Sequence, residues 1–434
     1  GTFTEVTEEV GLAGIEAYGE GINAADYDND GDEDIFFTTL RNNYLLRNEG
    51  GQFTSVGKEA GVSEQAVWSS SSVFFDADRD GDLDLYVGNY CEWSPEIDMY
   101  CSVEGVILPF VTGQNSAELA KKYGRKAYCP PEEFEGIPGR FYRNNGDGTF
   151  TDETEKAGFL PSPGKTLGVA EFDYNRDGWP DLVVANDVEA DLLFKNNGDG
   201  TFNEIGIPSG IAFGDRGESR AGMGIETGVV DESGRESIFV GNFSSEMIGV
   251  YTYKGNDLFS DRAAASRIGQ PSLMMLTFGI FMFDVEYDGD LDIMTANGHI
   301  WAIKPSLDGS AFRQEPRLFL NSGNGEFASA PHAKGSVFEQ KLVARGASYG
   351  DYDRDGDLDV LFTENNGPAH LWENQLNDAN YLRVRLEGNA SNKEGISSQL
   401  IAVVSGKRMY RRIRTGSSSL SISEKVASFG LGKS

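Results

Sequence analysis

Short apolar runs alternate along the chain with stretches in which acids occupy every second position. Ile35-Phe-Phe, Leu85-Tyr-Val, Leu182-Val-Val, Ile238-Phe-Val, Ile293-Met-Thr and Val360-Leu-Phe each follow such a stretch. Another apolar run precedes it, usually with a glycine five residues ahead of the first acid: Gly21, Gly168, Gly224, Gly279 and Gly346. Runs of this length between Gly, Asp and Asn clusters predict strands. Five units continue into a tight turn: Asn48-Glu-Gly-Gly-Gln-Phe53, Asn144-Asn-Gly-Asp-Gly-Thr-Phe150, Asn196-Asn-Gly-Asp-Gly-Thr-Phe202, Lys254-Gly-Asn-Asp-Leu-Phe259 and Asn321-Ser-Gly-Asn-Gly-Glu-Phe327. Asn-Gly and Asp-Gly between apolar runs signal hairpins, so each unit predicts a four-stranded antiparallel meander.

The units start at residues 26, 76, 173, 229, 284 and 351. Self-similarity at about 50 residues predicts the blades of a β-propeller, an all-β fold. Six blades are counted, and a degenerate seventh within an insertion stays open. The opening Gly1-Thr-Phe-Thr-Glu-Val resembles Gly148-Thr-Phe-Thr-Asp-Glu and predicts an outer strand that closes the last blade on the first. Two insertions interrupt the period, at about 91–140 and 299–317. Beyond Asn380 the character changes. Residues 381–434 hold ten Lys or Arg against three Glu, and the alternation in Tyr381–Glu387 predicts a small, separate β-domain. The expected division is 1–379 and 380–434.

Composition narrows the function. Over 434 residues, 37 Lys and Arg face 69 Asp and Glu, a net charge of −32. That field repels phosphate backbones and argues against nucleic-acid binding. Hydrophobic residues at 39% leave ample material for a core. The longest apolar stretch, Leu273–Phe283, spans 11 residues, too short for a membrane span. No signal peptide stands ahead of Gly1, and its removal would explain that. Cys91, Cys101 and Cys129 all fall in the first insertion, and Cys101–Cys129 is the expected disulfide.

The acidic stretches share one spacing. Asp-x-Asp-x-Asp-Gly-Asp-x-Asp occurs at Asp26, Asp28, Asp30, Asp32, Asp34; at Asp76, Asp78, Asp80, Asp82, Asp84; and at Asp351, Asp353, Asp355, Asp357, Asp359. Variants read Asp173, Asn175, Asp177, Trp179, Asp181 and Asp284, Glu286, Asp288, Asp290, Asp292. The unit at Val229–Ser237 has lost most of its acids. Like charges so closely spaced repel unless a cation neutralises them. Ca2+ fits, since it takes about 6–8 oxygen ligands from flexible loops. Side chains at positions 1, 3, 5 and 9 and the carbonyl of position 7 are the expected ligands, at about five structural sites. An EF-hand is excluded because position 12 holds Phe37, Val87, Val184, Thr295 or Phe362, where it needs a glutamate.

With their hairpins, these units resemble FG-GAP/VCBS-type propeller repeats. The basic tail, from Asn380-Tyr-Leu-Arg-Val-Arg-Leu-Glu through Gly416-Ser-Ser-Ser to Phe429-Gly-Leu-Gly, resembles an ASPIC/UnbV domain. The pairing, with Thr295-Ala-Asn-Gly-His-Ile300 and Ala344-Arg-Gly-Ala347, is similar to the cartilage acidic protein 1 family. The resemblance implies a secreted, calcium-binding propeller in an extracellular or periplasmic setting.

The loop joins two antiparallel strands, so the far strand ends gather at the opposite face. There the sequence places Lys165, Arg220 and Arg345 before first strands, and Asn89, Asn186, Asn242 and Asn297 at the ends of second strands, with His299 following. Both insertions leave from this end and are expected to roof it. Two readings stay open. One is a recognition protein binding glycan or protein here, with Lys165, Asn186, Asn242 and Asn297 as contacts. The other is an enzyme on carbohydrate or another polar small molecule, with His299 as acid or base and Arg345 and Arg220 stabilising negative charge.

Overall fold

The computed structural model describes residues 2–94, 96–102, 105, 107–108, 116–127, 129–214, 216–300, 302, 309–332, 334–375 and 379–432. Its strands form six blades around one axis. Blade 1 is Gly19–Ala25, Asp34–Asn42, Tyr44–Glu49 and Gln52–Ser55; blade 2 is Glu64–Phe75, Asp84–Asn89, Arg140–Asn144 and Phe150–Asp152. Blade 3 is Thr166–Phe172, Asp181–Asn186, Leu192–Asn196 and Phe202–Glu204; blade 4 is Gly222–Gly228, Ser237–Asn242, Gly249–Gly255 and Leu258–Asp261. Blade 5 is Thr277–Phe283, Asp292–Asn297, Arg317–Asn321 and Phe327–Ser329, and blade 6 is Ala344–Gly350, Asp359–Glu364 and His370–Trp372. Within each blade the strands pair antiparallel in chain order. The first strands lie innermost, each beside that of the next blade from blade 1 to blade 6.

The core lies between blades, because both faces of each small sheet are apolar. Phe75, Tyr86 and Phe141 of blade 2 pack on Val169, Val184 and Phe194 of blade 3, and Phe281, Met294 and Ala296 of blade 5 on Ala347, Val360 and Phe362 of blade 6. Where a glycine stands five positions before a loop, as at Gly168 and Gly224, the inner strands approach one another closely. A Cβ on Gly224 would stand 1.9 Å from the Phe278 carbonyl oxygen, and one on Gly168 2.3 Å from that of Met223.

Blade 6 departs from the expected closure. Among the described residues no strand is formed by residues 2–18, and the last sheet has three strands. The N-terminal segment still spans the two end blades. Phe3 stacks on Tyr352 at 6.0 Å between ring centroids, and the Phe53 N–H of blade 1 donates to the Val10 carbonyl at 2.8 Å. Leu361 and Leu371 show what remains uncovered. Their counterparts in blade 3, Val183 and Leu193, are buried against blade 4, whereas these two are 39% and 37% exposed.

The first insertion forms no seventh blade among its described residues. It contains a small sheet of Tyr100–Ser102 between Ile107–Leu108 and Lys126–Ala127, a helix at Ser116–Tyr123, and the Cys101–Cys129 disulfide, with Cys91 free and buried. Residues 109–115 and 303–308, parts of the two insertions expected to roof that face, lie outside the described residues. No helix among the described residues is long and apolar enough to cross a membrane.

Residues 380–432 do not stand apart from the propeller. Asn380–Val384 pairs with Ala427–Gly432, and Gln399–Val404 with Lys407–Arg412. Ile396, Met409, Ile413, Ala427 and Phe429 share a core with Phe36 and Phe74 of blades 1 and 2. The segment 411–425 enters the axis as a tight hairpin, with Ser417 bridging to Ser421. Thr415 Oγ1 exchanges hydrogen bonds with the backbone of Phe74 in blade 2, and Ser418 with that of Ile225 in blade 4. The Leu420 carbonyl accepts from Ile22 in blade 1, Ser418 Oγ from Ile280 in blade 5, and the Glu424 N–H donates to Tyr349 O in blade 6. Arg412 reaches Glu171 in blade 3 at 3.2 Å. All six inner strands therefore touch the C-terminal segment, which fills the channel.

Candidate functional site

The five acidic loops hang between the first and second strands of blades 1, 2, 3, 5 and 6. Residues at position 4 or nearby take left-handed backbone, as in Asn29 (φ 59°) and Arg354 (φ 63°), and the following glycine turns further, as in Gly31 (φ 106°) and Gly356 (φ 100°). This coil folds the alternate acids inward. Among the described residues three sets of carboxylates can each present one oxygen within 4.8 Å of the others: Asp26, Asp28 and Asp34; Asp76, Asp78 and Asp80; Asp351, Asp353 and Asp355. Asp26 also accepts from the loop's own N–H groups of Asp30 and Gly31, both at 2.9 Å.

The ninth position has a further task. Asp34, Asp84, Asp181, Asp292 and Asp359 are all buried, and each accepts two backbone N–H groups. One comes from loop position 2, as Tyr27 gives to Asp34 at 3.2 Å; the other comes from the hairpin asparagine, as Asn196 gives to Asp181 at 2.9 Å. This aspartate ties loop to hairpin in every acidic unit.

The electrostatics leave the loops short of positive charge. Burial, with neighbouring carboxylates adding, pushes Asp34 and Asp292 up to about 8 and Asp76 to about 6. Asp76 Oδ1, Asp173 Oδ1 and Asp351 Oδ1, all at loop position 1, are buried without a hydrogen-bond partner, as are both oxygens of Asp357. Buried, unpaired carboxylate oxygens clustered with like charge are what a hard cation satisfies, so the residues present fit one. Blade 4, which has lost its acids, takes another route. Its Glu236 is buried against Arg412 of the C-terminal segment at 2.9 Å.

At the opposite face the predicted residues are already engaged. Lys165 is buried and paired with Glu189. Arg220 pairs with Asp261 at 2.9 Å. Arg345 donates to the Gly298 and Ala344 carbonyls and lies 4.1 Å from the centroid of the Phe278 ring. His299 is buried, its backbone N–H donating to Phe312 O and its ring edge-on to Phe243 at 5.2 Å. Asn89, Asn186, Asn242 and Asn297 donate to the carbonyls of Pro138, Ala190, Met247 and Glu315, so their side chains hold the backbone just ahead of each third strand. The cations and amides expected to cluster openly at this face thus each have contacts within the fold. The partners of Lys165 and Arg220 are acids, and those of Arg345 and the four asparagine amides are backbone carbonyls.

The basic run Lys407–Arg414 docks on the acidic propeller, as its charge leads one to expect, with Arg411 on Asp284 at 3.4 Å and Lys407 on Asp290 at 2.8 Å, whereas Arg383 on Asp351 was not singled out by the sequence. These contacts join residues far apart in the chain. Only the positive charge of the tail beside a negative propeller hinted at them.

The strand order and acidic loops define a repeat propeller of FG-GAP type. A family model for the FG-GAP-like repeat matches residues 26–87, 138–184 and 173–228. Human cartilage acidic protein 1 is 27% identical over 263 residues, covering 56% of this chain and 36% of that protein. The mouse protein of the same name is 28% identical over 261 residues, covering 56% of this chain and 37% of its own length. The chain thus carries FG-GAP-like repeats and is similar to cartilage acidic protein 1, and the match spans little more than a third of those relatives. Among solved structures, an Agrocybe aegerita lectin that recognises terminal N-acetylglucosamine superposes with TM-score 0.43 at 15% identity, covering 84% of this chain and 83% of that one. The six-bladed fucose-recognising lectin of Aleuria aurantia gives 0.39 at 11%, covering 82% and 91%.

Proposed function

We propose that this protein is a secreted recognition scaffold whose propeller is held in shape by calcium ions in its acidic loops, and that it binds glycan or protein partners on the face opposite those loops. The observation that carries the calcium reading is the set of buried, unpartnered carboxylate oxygens at position 1 of three loops built on one spacing. The side chains at positions 1, 3 and 5, with position 9 as a further oxygen, would hold the ion. Its charge would relieve the repulsion that burial imposes on them. Secretion is supported by the Cys101–Cys129 disulfide, since such bonds persist in oxidising compartments.

A binding role is favoured over catalysis because Lys165, Arg220, Arg345 and His299 are each committed to neighbours within the fold. The loop face is occupied by the chain's own C-terminal segment and the channel is filled. The opposite face, with the insertions around it, is left as the surface for a partner.

The calcium reading is tested by thermal unfolding of the full chain in EDTA and after calcium is restored. Chelation is expected to lower the Tm by many degrees and readdition to restore it. An unchanged Tm in EDTA rejects the assignment.

A further inference from the structure

The C-terminal segment grips the loops with one repeated device. The backbone N–H of loop position 1 donates to a glutamate, and that glutamate is held by a cation of residues 380–432. In blade 1, Asp26 N–H donates to Glu394 at 3.0 Å, and Lys425 pairs with Glu394 at 2.6 Å. In blade 3, Asp173 N–H donates to Glu236 at 3.2 Å, and Arg412 holds Glu236 at 2.9 Å. In blade 6, Asp351 N–H donates to Glu424 at 3.2 Å, and Arg383 holds both oxygens of Glu424 at 2.7 Å.

Blade 6 carries the device furthest. The second arm of the Arg383 guanidinium takes Asp351 Oδ2. Asp351 Oδ1 is left buried and unpartnered, in the group formed with Asp353 and Asp355. Beside them Asp357 is 3% exposed, with neither oxygen bonded. A forked guanidinium on one carboxylate oxygen fixes the direction of the other. Blade 2 offers a contrast, since Asp78 and Asp84 there pair with Arg143 of their own blade at 2.9 and 2.7 Å.

We propose that residues 380–432 complete the cation sites they cover, with Arg383 as the positioning residue of the blade 6 site. Cation binding and docking of the C-terminal segment are then linked. This rests on the calcium reading above and deepens it, naming the part of the chain that tunes the sites. Outer partners that orient a ligating carboxylate typically contribute about 10- to 100-fold in metal affinity. Linkage is reciprocal, so calcium must in turn hold the segment down.

The experiment is calorimetric titration of Ca2+ into the EDTA-stripped full chain, wild type and Arg383→Gln. One site is expected to weaken by about 10- to 100-fold while the others keep their affinity, and Arg383→Lys is expected to recover only part of the loss. Alongside it, limited proteolysis of the wild type read by mass spectrometry is expected to show cleavage within 380–432 accelerated by EDTA, and this arm stands even if Arg383→Gln fails to fold. Absence of calcium binding by the wild type overturns the calcium reading and this inference together. Normal binding by the wild type with unchanged or tighter binding by folded Arg383→Gln overturns this inference alone. So does cleavage of the C-terminal segment at the same rate with and without calcium.

Discussion

Asp181 accepts N–H groups from Tyr174 at 3.4 Å and Asn196 at 2.9 Å in a fully buried setting. Asp181→Ala orphans both donors and is expected to cost about 1–3 kcal/mol for each, seen as a lower urea midpoint in saturating calcium. The acid spacing could be read because it is local: nine consecutive residues decide it. The roles of Asn186 and Asn297 could not, because one amide serves a turn carbonyl or a ligand equally well and only its neighbours decide. Asp191, on the face opposite the loops, offers a pH test. It is buried, accepts from Asn186 N–H at 2.9 Å, and burial pushes it up to about 8. A carboxyl raised in the folded state adds stability while it holds its proton. That stability is fully present below its ordinary value near 4 and is lost as pH rises toward 8. Asp191→Asn keeps an acceptor without the titration, so the fall in Tm from pH 5 to pH 8 is expected to be shallower than in the wild type.

At the scale of elements, the meander and its hairpins followed from alternation and Asn-Gly turns, and five four-stranded blades formed where the repeats predicted them. The N-terminal segment lies where the circular reading put it, against Tyr352, but without strand pairing among the described residues. Sequence likeness to Gly148-Thr-Phe marked the place, while pairing depends on how the edge of blade 6 presents itself. The hairpin 411–425 is the element whose role was least visible, because nothing in its Gly-Ser pattern specifies a channel. Its anchor is Arg412, buried between Glu171 at 3.2 Å and Glu236 at 2.9 Å. Arg412→Ala leaves two buried carboxylates without their counter-ion, and a loss of about 3–5 kcal/mol is expected in urea unfolding at pH 7. The exposed Arg41–Glu96 pair at 3.3 Å is the control, and its removal is expected to change stability by under about 1 kcal/mol.

Across the whole molecule, the charge asymmetry between an acidic ring and a basic tail becomes an arrangement in space. Arg383, Arg411 and Lys407 meet the acids of blades 5 and 6, while Arg412 and Arg414 line the channel against Glu236 and Glu226. The loops are thus neutralised from within by the tail and, in the calcium reading, by ions as well. The pooled charge of −32 misses this, because it averages over the two parts that attract each other.

By itself the sequence determined the repeating unit: its strands, its turns and its acidic loops. Those features depend on interactions between residues a few positions apart, which spacing and residue type encode directly. Tertiary structure alone decided that the basic tail threads the axis and grips the loops, and that the cations of the opposite face are tied to neighbours. The ion pairs among them join residues tens to hundreds of positions apart, as Arg412 joins Glu171, so no local pattern carries them until the blades have closed around the axis.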